Sequence, residues 1–124
     1  MNKIYIAGPM TGIPKFNFPS FDAQARLYRR LGYVVFNPAD HDRQLLGKPE
    51  DWEPKEEDSI GSWKAWNPER FGYCPTLREM LGNDLAWIAQ EATHINMIKG
   101  WENSRGARAE HALAVALDLV ILYD

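Results

Sequence analysis

One glutamate in a run of small residues is the first place where this chain offers chemistry. Glu110 lies between Gly106 and Leu117, a stretch that is otherwise small or apolar apart from Arg108 and His111. Gly106 precedes it by four residues, so the two share one helix face, one turn apart. With no side chain on Gly106, a ligand can reach over that turn to the Glu110 carboxylate. First-turn acids compensate the helix dipole, but Glu110 falls beyond the first turn of a helix starting near Ser104. A lone Glu is usually solvated. The sharper alternative is a carboxylate at the floor of a pocket, a candidate nucleophile or general base. Asp84 is the second unusual acid. It falls among Met80, Leu81, Leu85 and Ile88, near the core-facing side of a helix predicted over 76–91.

The elements that must position these acids follow from periodicity. Lys3-Ile-Tyr-Ile-Ala7 reads as a buried strand running into the tight loop Gly8-Pro-Met-Thr-Gly12, where glycines permit positive φ and close ligand approach. Ser20 is the expected N-cap of a helix that turns Phe21, Ala25, Leu27, Tyr28 and Leu31 inward and closes at Gly32. Tyr33 to Phe36 is the second strand, ending in Asn37-Pro38-Ala39-Asp40. Ala92 to Ile98 and Asp118 to Tyr123 are the remaining strands, with the Glu110 helix between them.

That order predicts a single α/β domain over 1–124. Its sheet is open and mostly parallel, of four to five strands, with helices on both faces (Rossmann- or flavodoxin-like). Ligands bind at the carboxyl edge of such a sheet. Three polar loops meet there: Gly8 to Gly12, Asn37 to Asp40, and Gly100 to Ser104. The last of these runs into a helix start, where N–H groups and the positive helix end suit an anion or a sugar. Between 41 and 75 no period is sustained. Trp52, Trp63, Trp66, Phe71 and Tyr73 stand there among Pro, Gly and charges, and the 41–60 part has seven acids against three bases. So aromatic a segment reads as an ordered insertion, packed over a site or serving as an oligomer contact.

Composition narrows the classes. A formal charge of -3 with a pI near 5.6 and no basic stripe speaks against a nucleic-acid partner. A single cysteine, Cys74, excludes an internal disulfide and suits a reducing, cytoplasmic setting. No apolar run approaches the ~20 residues of a membrane span, and the apolar stretch after Lys3 is too short for a signal peptide. No His, Cys or Asp spacing makes a convincing metal site, and no cofactor motif is present, since the Gly8 loop is neither a dinucleotide nor a Walker sequence.

Taken in order, Ile4-Tyr-Ile-Ala-Gly-Pro-Met-Thr-Gly12, Asn37-Pro38, Asn83-Asp84-Leu85 with Trp87, Gly100-Trp101, and Ser104-x-Gly106-x-x-x-Glu110 resemble the nucleoside 2-deoxyribosyltransferase superfamily, particularly its short phage and bacterial members. The resemblance spans most of the chain outside 41–75. It implies that Glu110 attacks the anomeric carbon of a (deoxy)ribose, that Tyr5 orients that carboxylate, and that Asp84 contacts or protonates the departing base. It implies that Gly8, Met10, Gly12 and Asn37 hold substrate, together with Trp101, Ser104 and Gly106. Six positions before the catalytic Glu, members acting on free nucleosides have Asp, whereas nucleoside 5'-monophosphate N-glycosidases have Ser. Ser104, with Arg105 beside it, therefore points to a 5'-nucleotide and hydrolysis. The partner expected is a small nucleotide or nucleoside, bound by a homo-oligomer (a dimer or larger).

Chemistry fits those roles, because breaking an N-glycosidic bond builds positive charge on the sugar and leaves an anionic base unless an acid helps. Three alternatives stand beside it. One is a transferase exchanging bases between nucleosides. Another is a phosphoribohydrolase of the lysine-decarboxylase-like type, whose doubled glycine is here Trp101-Glu102. The third is a non-catalytic nucleotide sensor on the same fold.

Overall fold

The computed structural model describes residues 1–56 and 77–124. Four strands, β1 (Lys3–Ala7), β2 (Val34–Phe36), β3 (His94–Met97) and β4 (Val120–Tyr123), form one sheet in the order β2-β1-β3-β4. Every pairing is parallel, as βαβ connections require. The helices are α1 (Phe18–Arg30), α2 (Pro38–Leu45), α3 (Leu77–Gln90) and α4 (Arg105–Ala116). None among the described residues is long and apolar enough to cross a membrane.

Side-chain alternation along β1 divides the core. Ile4 and Ile6 pack on the α1 face with Phe16, Phe18, Phe21 and Tyr28. Tyr5 and Ala7 turn to the opposite face, with Ile88 of α3 and Ala107 and Ala114 of α4. β3 repeats the division. Ile95 and Met97 join the second face, while buried Asn96 accepts from the Tyr28 hydroxyl at 2.9 Å. The chain leaving β1 goes to one face and the chain leaving β3 to the other, so a crevice opens between their carboxyl ends.

Several boundaries differ from those read in the sequence. α1 starts at Phe18 rather than after Ser20, with Asn17 as N-cap. Pro19 is tolerated because a first-turn N–H has no partner within a helix. Leu27 and Leu31 are 46% and 63% exposed, since one stripe of α1 suffices to cover the sheet. Asn37 to Asp40 is not a loop but the start of α2. Asn37 caps that helix, its Oδ1 accepting from Ala39 N at 3.0 Å, and Pro38 occupies its first turn. The insertion, in which the sequence sustains no period from 41, therefore begins as helix.

Beyond α2, buried Arg43 organises the chain. Its guanidinium bonds Asp22 at 2.6 and 3.0 Å, Asp40 at 3.0 Å and the Trp52 carbonyl at 2.6 Å. Trp52 stands edge-on to Phe18. Of the insertion's aromatic residues, Trp63, Trp66, Phe71 and Tyr73 lie outside the described residues.

Candidate active site

Alternation on β1 sends Tyr5 to the side where α4 passes, and there its hydroxyl donates to Glu110 Oε2 at 2.5 Å. Glu110 is only 5% exposed. Ser104 caps α4, its Oγ accepting from Ala107 N at 3.2 Å, so the helix begins where the sequence places it. Asp84 of α3 completes a trio at the floor of a cavity of about 860 Å³. The Tyr5 ring is held by Phe36, stacked at 5.2 Å, and by Trp87 at 6.3 Å.

The cavity brings together seven of the ten residues singled out from the sequence. Tyr5, Asp84 and Glu110 form its floor, while Gly8, Met10, Ser104 and Gly106 are on its walls. Gly12, Asn37 and Trp101 are not among its lining residues. Gly12 takes a positive φ of 82° in the turn after β1. Asn37 is committed to capping α2 and to donating to Asp22 at 3.0 Å. Trp101 stacks on His111 at 4.2 Å. Sequence reasoning missed Asn17, Ser20 and Phe21 of the α1 entry, and also Lys99, Asn103 and Asp124. Only the convergence of loops at one sheet edge could have signalled them, because their spacing carries no pattern.

The two cavity glycines serve different ends. A Cβ at Gly8 would lie 2.7 Å from Ile98 Cβ, so the packing of β1 on the end of β3 by itself requires glycine there. A Cβ at Gly106 would meet Leu81 Cδ2 at 3.5 Å and Ser104 Oγ at 4.0 Å, which is ordinary contact. Protein packing does not demand glycine at 106, and the space it leaves belongs to the cavity.

Electrostatics couples the acids. Burial raises the Glu110 pKa well above the usual range and the Asp84 charge raises it further, while the bond from Tyr5 opposes both. Asp84 is pushed up to about 6 by burial, again opposed by Tyr5. Tyr5 itself is raised by burial and by the two carboxylates. Two acids in a low-dielectric pocket resist double ionisation, so one charge and one proton is the favoured state. A carboxylate bonded by a phenol, beside a second carboxyl able to hold a proton, is suited to nucleophilic attack with acid assistance. Among the described residues no group of His, Cys, Asp and Glu is arranged to hold a metal ion.

Comparison with known proteins gives the family and no function. A family described as "Domain of unknown function (DUF4406)" matches residues 2–55 and 67–123. The chain belongs to the DUF4406 family. The match takes in every strand and helix among the described residues, and with them Tyr5, Asp84 and Glu110 of this DUF4406 site. No curated protein and no solved structure matches the chain.

Proposed function

We propose that this DUF4406 protein cleaves the N-glycosidic bond of a (deoxy)nucleoside 5'-monophosphate. The observation that carries the reading is the buried Tyr5–Glu110 hydrogen bond at a cavity floor, with Asp84 beside it. Positive charge develops on the sugar ring as the base departs, and it favours the ionised form of Glu110. A Glu110 oxygen bonds the anomeric carbon as the carbon–nitrogen bond breaks, and the Asp84 proton passes to the base. Water then displaces Glu110 and gives its proton to Asp84, so sugar phosphate and free base leave and both carboxyl groups are restored.

Phosphate binding is assigned to the start of α4. Ser104 and Asn103 line the cavity there, with Lys99 and Arg105. Cations and a helix N-terminus together favour a dianion. The enzyme would act in the reducing cytoplasm as a homo-oligomer. Exposed Val115, Leu117, Val120 and Tyr123, at the end of α4 and on edge strand β4, give a second copy apolar surface; sedimentation tests the association.

The deciding experiment is base release from a panel of nucleosides and 5'-monophosphates, with Glu110→Gln as control. Monophosphate cleavage that falls several orders of magnitude in the control is expected, since the amide keeps the shape and loses the nucleophilic charge. Equal turnover by wild type and Glu110→Gln refutes the mechanism. Base exchange in place of hydrolysis would put the transferase reading first.

A further inference from the structure

Thr11, Asn17, Ser20 and Asp124 are polar residues of the cavity wall with no part in the bond cleavage or the phosphate assignment. Asp124 is the charged one. Its backbone N–H extends the β4 ladder by donating to Met97 O at 3.1 Å. Its carboxylate lies 3.5 Å from Asn96 Nδ2 and 3.4 Å from Lys99 N. Such long contacts place the group without filling its acceptor sites, of which an ionised carboxylate has about four. Among the described residues no cationic side chain is paired with it.

Behind Asp124 runs a buried polar chain. Asn96 is 1% exposed and stands in β3 between Ile6 of β1 and Leu122 of β4. A buried amide in such a strand is costly unless both of its ends are bonded. Tyr28 donates to its Oδ1 at 2.9 Å, which leaves its Nδ2 for Asp124. The core of the α1 face thus commits a phenol and an amide to holding one carboxylate at the cavity. Asn17 and Ser20, at the entry of α1, share that wall. Asn17 is fixed as well, at a φ of 62° and with its Nδ2 donating to Pro9 O at 2.9 Å.

Resting on the N-glycosidase reading, we propose that Asp124 accepts hydrogen bonds from the 2'- and 3'-hydroxyls of the substrate sugar, and that the substrate is a ribonucleotide in preference to a 2'-deoxyribonucleotide. The other walls already have occupants. The anomeric carbon lies over Glu110, the base lies on the Asp84 side with Met80 and Leu81, and the phosphate lies at the start of α4. The hydroxyl edge of the ring is left for the wall that carries Asp124. A carboxylate accepts from both hydroxyls of a cis-diol, one to each oxygen. A 2'-deoxy sugar makes one of those bonds and turns a methylene to the other oxygen. The same negative charge repels the phosphate from this wall, which holds the nucleotide in one orientation.

The test is calorimetric binding of ribose 5-phosphate and 2-deoxyribose 5-phosphate to the wild type. Binding is read in place of rate because a 2'-hydroxyl withdraws electrons and slows base departure whatever the pocket does. Ribose 5-phosphate should bind at least about tenfold tighter, the fold-change of one charge-assisted hydrogen bond. In Asp124→Ala, at an exposed position outside the core, the two should bind alike. Equal binding by the wild type, tighter binding of the deoxy sugar, or no binding of either overturns the proposal. A ribose preference that survives in Asp124→Ala overturns it too. A wild type that prefers ribose 5-phosphate but releases no base removes the N-glycosidase reading alone. Base release without a ribose preference in binding removes the proposal and leaves that reading standing.

Discussion

Replacing Tyr5 by Phe removes one oxygen and leaves the ring against Phe36 and Trp87. What disappears is the 2.5 Å donation to Glu110. A hydrogen bond to a charged group contributes roughly 1.5–3 kcal/mol. At 1.36 kcal/mol per pKa unit this is about one to two units on Glu110. The sign follows from the bond's preference for the anion: Tyr5 holds the Glu110 pKa down against burial and Asp84, so its loss lets that pKa rise further. In Tyr5→Phe the acid limb of the kcat/KM profile should move to higher pH by about one to two units, and turnover at neutral pH should drop about ten- to a hundredfold. The assay is base release across pH 5 to 9, with a thermal melt alongside to establish that both proteins are folded. A Tyr5→Phe profile superimposable on wild type would refute the argument that the phenol governs the charge on Glu110.

Asp84→Asn should slow an ordinary nucleotide far more than one with an activated leaving base; equal losses would mark Asp84 as structural. The same variant should gain stability at alkaline pH. The folded-state pKa of Asp84 is raised to about 6, so its contribution to stability falls as pH rises through that value, and the amide should raise the melting temperature at pH 8 relative to wild type and not at pH 4. Ser104→Asp adds a negative charge where the phosphate is assigned, and should remove a preference for monophosphates over nucleosides of at least about tenfold, the worth of one charge-assisted bond. If wild type handles both alike, the phosphate assignment fails. Gly8→Ala should cost about 1–3 kcal/mol of stability, because its Cβ meets Ile98 at 2.7 Å, whereas Gly106→Ala should leave the melt nearly unchanged and impair substrate affinity.

The sheet and the order of its elements were legible because period-two and period-3.6 patterns change at Gly32, Gly100 and the loops between. Glu110 was legible for a related reason, being the one acid a largely apolar helix cannot explain by dipole or solvent. Its partner Tyr5 is named by the family resemblance and not by periodicity, because alternation alone leaves open which face of β1 turns toward α4; the structure brings the two together. α2 was missed although Asn37-Pro38 is a cap followed by a first-turn proline, because eight residues carry too few turns for a period to show. At Gly8, which lines the cavity, the sequence could not show the further demand for glycine that Ile98 makes.

The Arg43 guanidinium has a consequence for how much this chain can change. It grips the Trp52 carbonyl at 2.6 Å, and the match to the DUF4406 family stops at residue 55 and resumes at 67. Trp52 is therefore anchored to the folded body just before the stretch that the family match leaves out. The family match thus lapses between 55 and 67, while the Trp52 anchor and Tyr5, Asp84 and Glu110 all stand on matched residues.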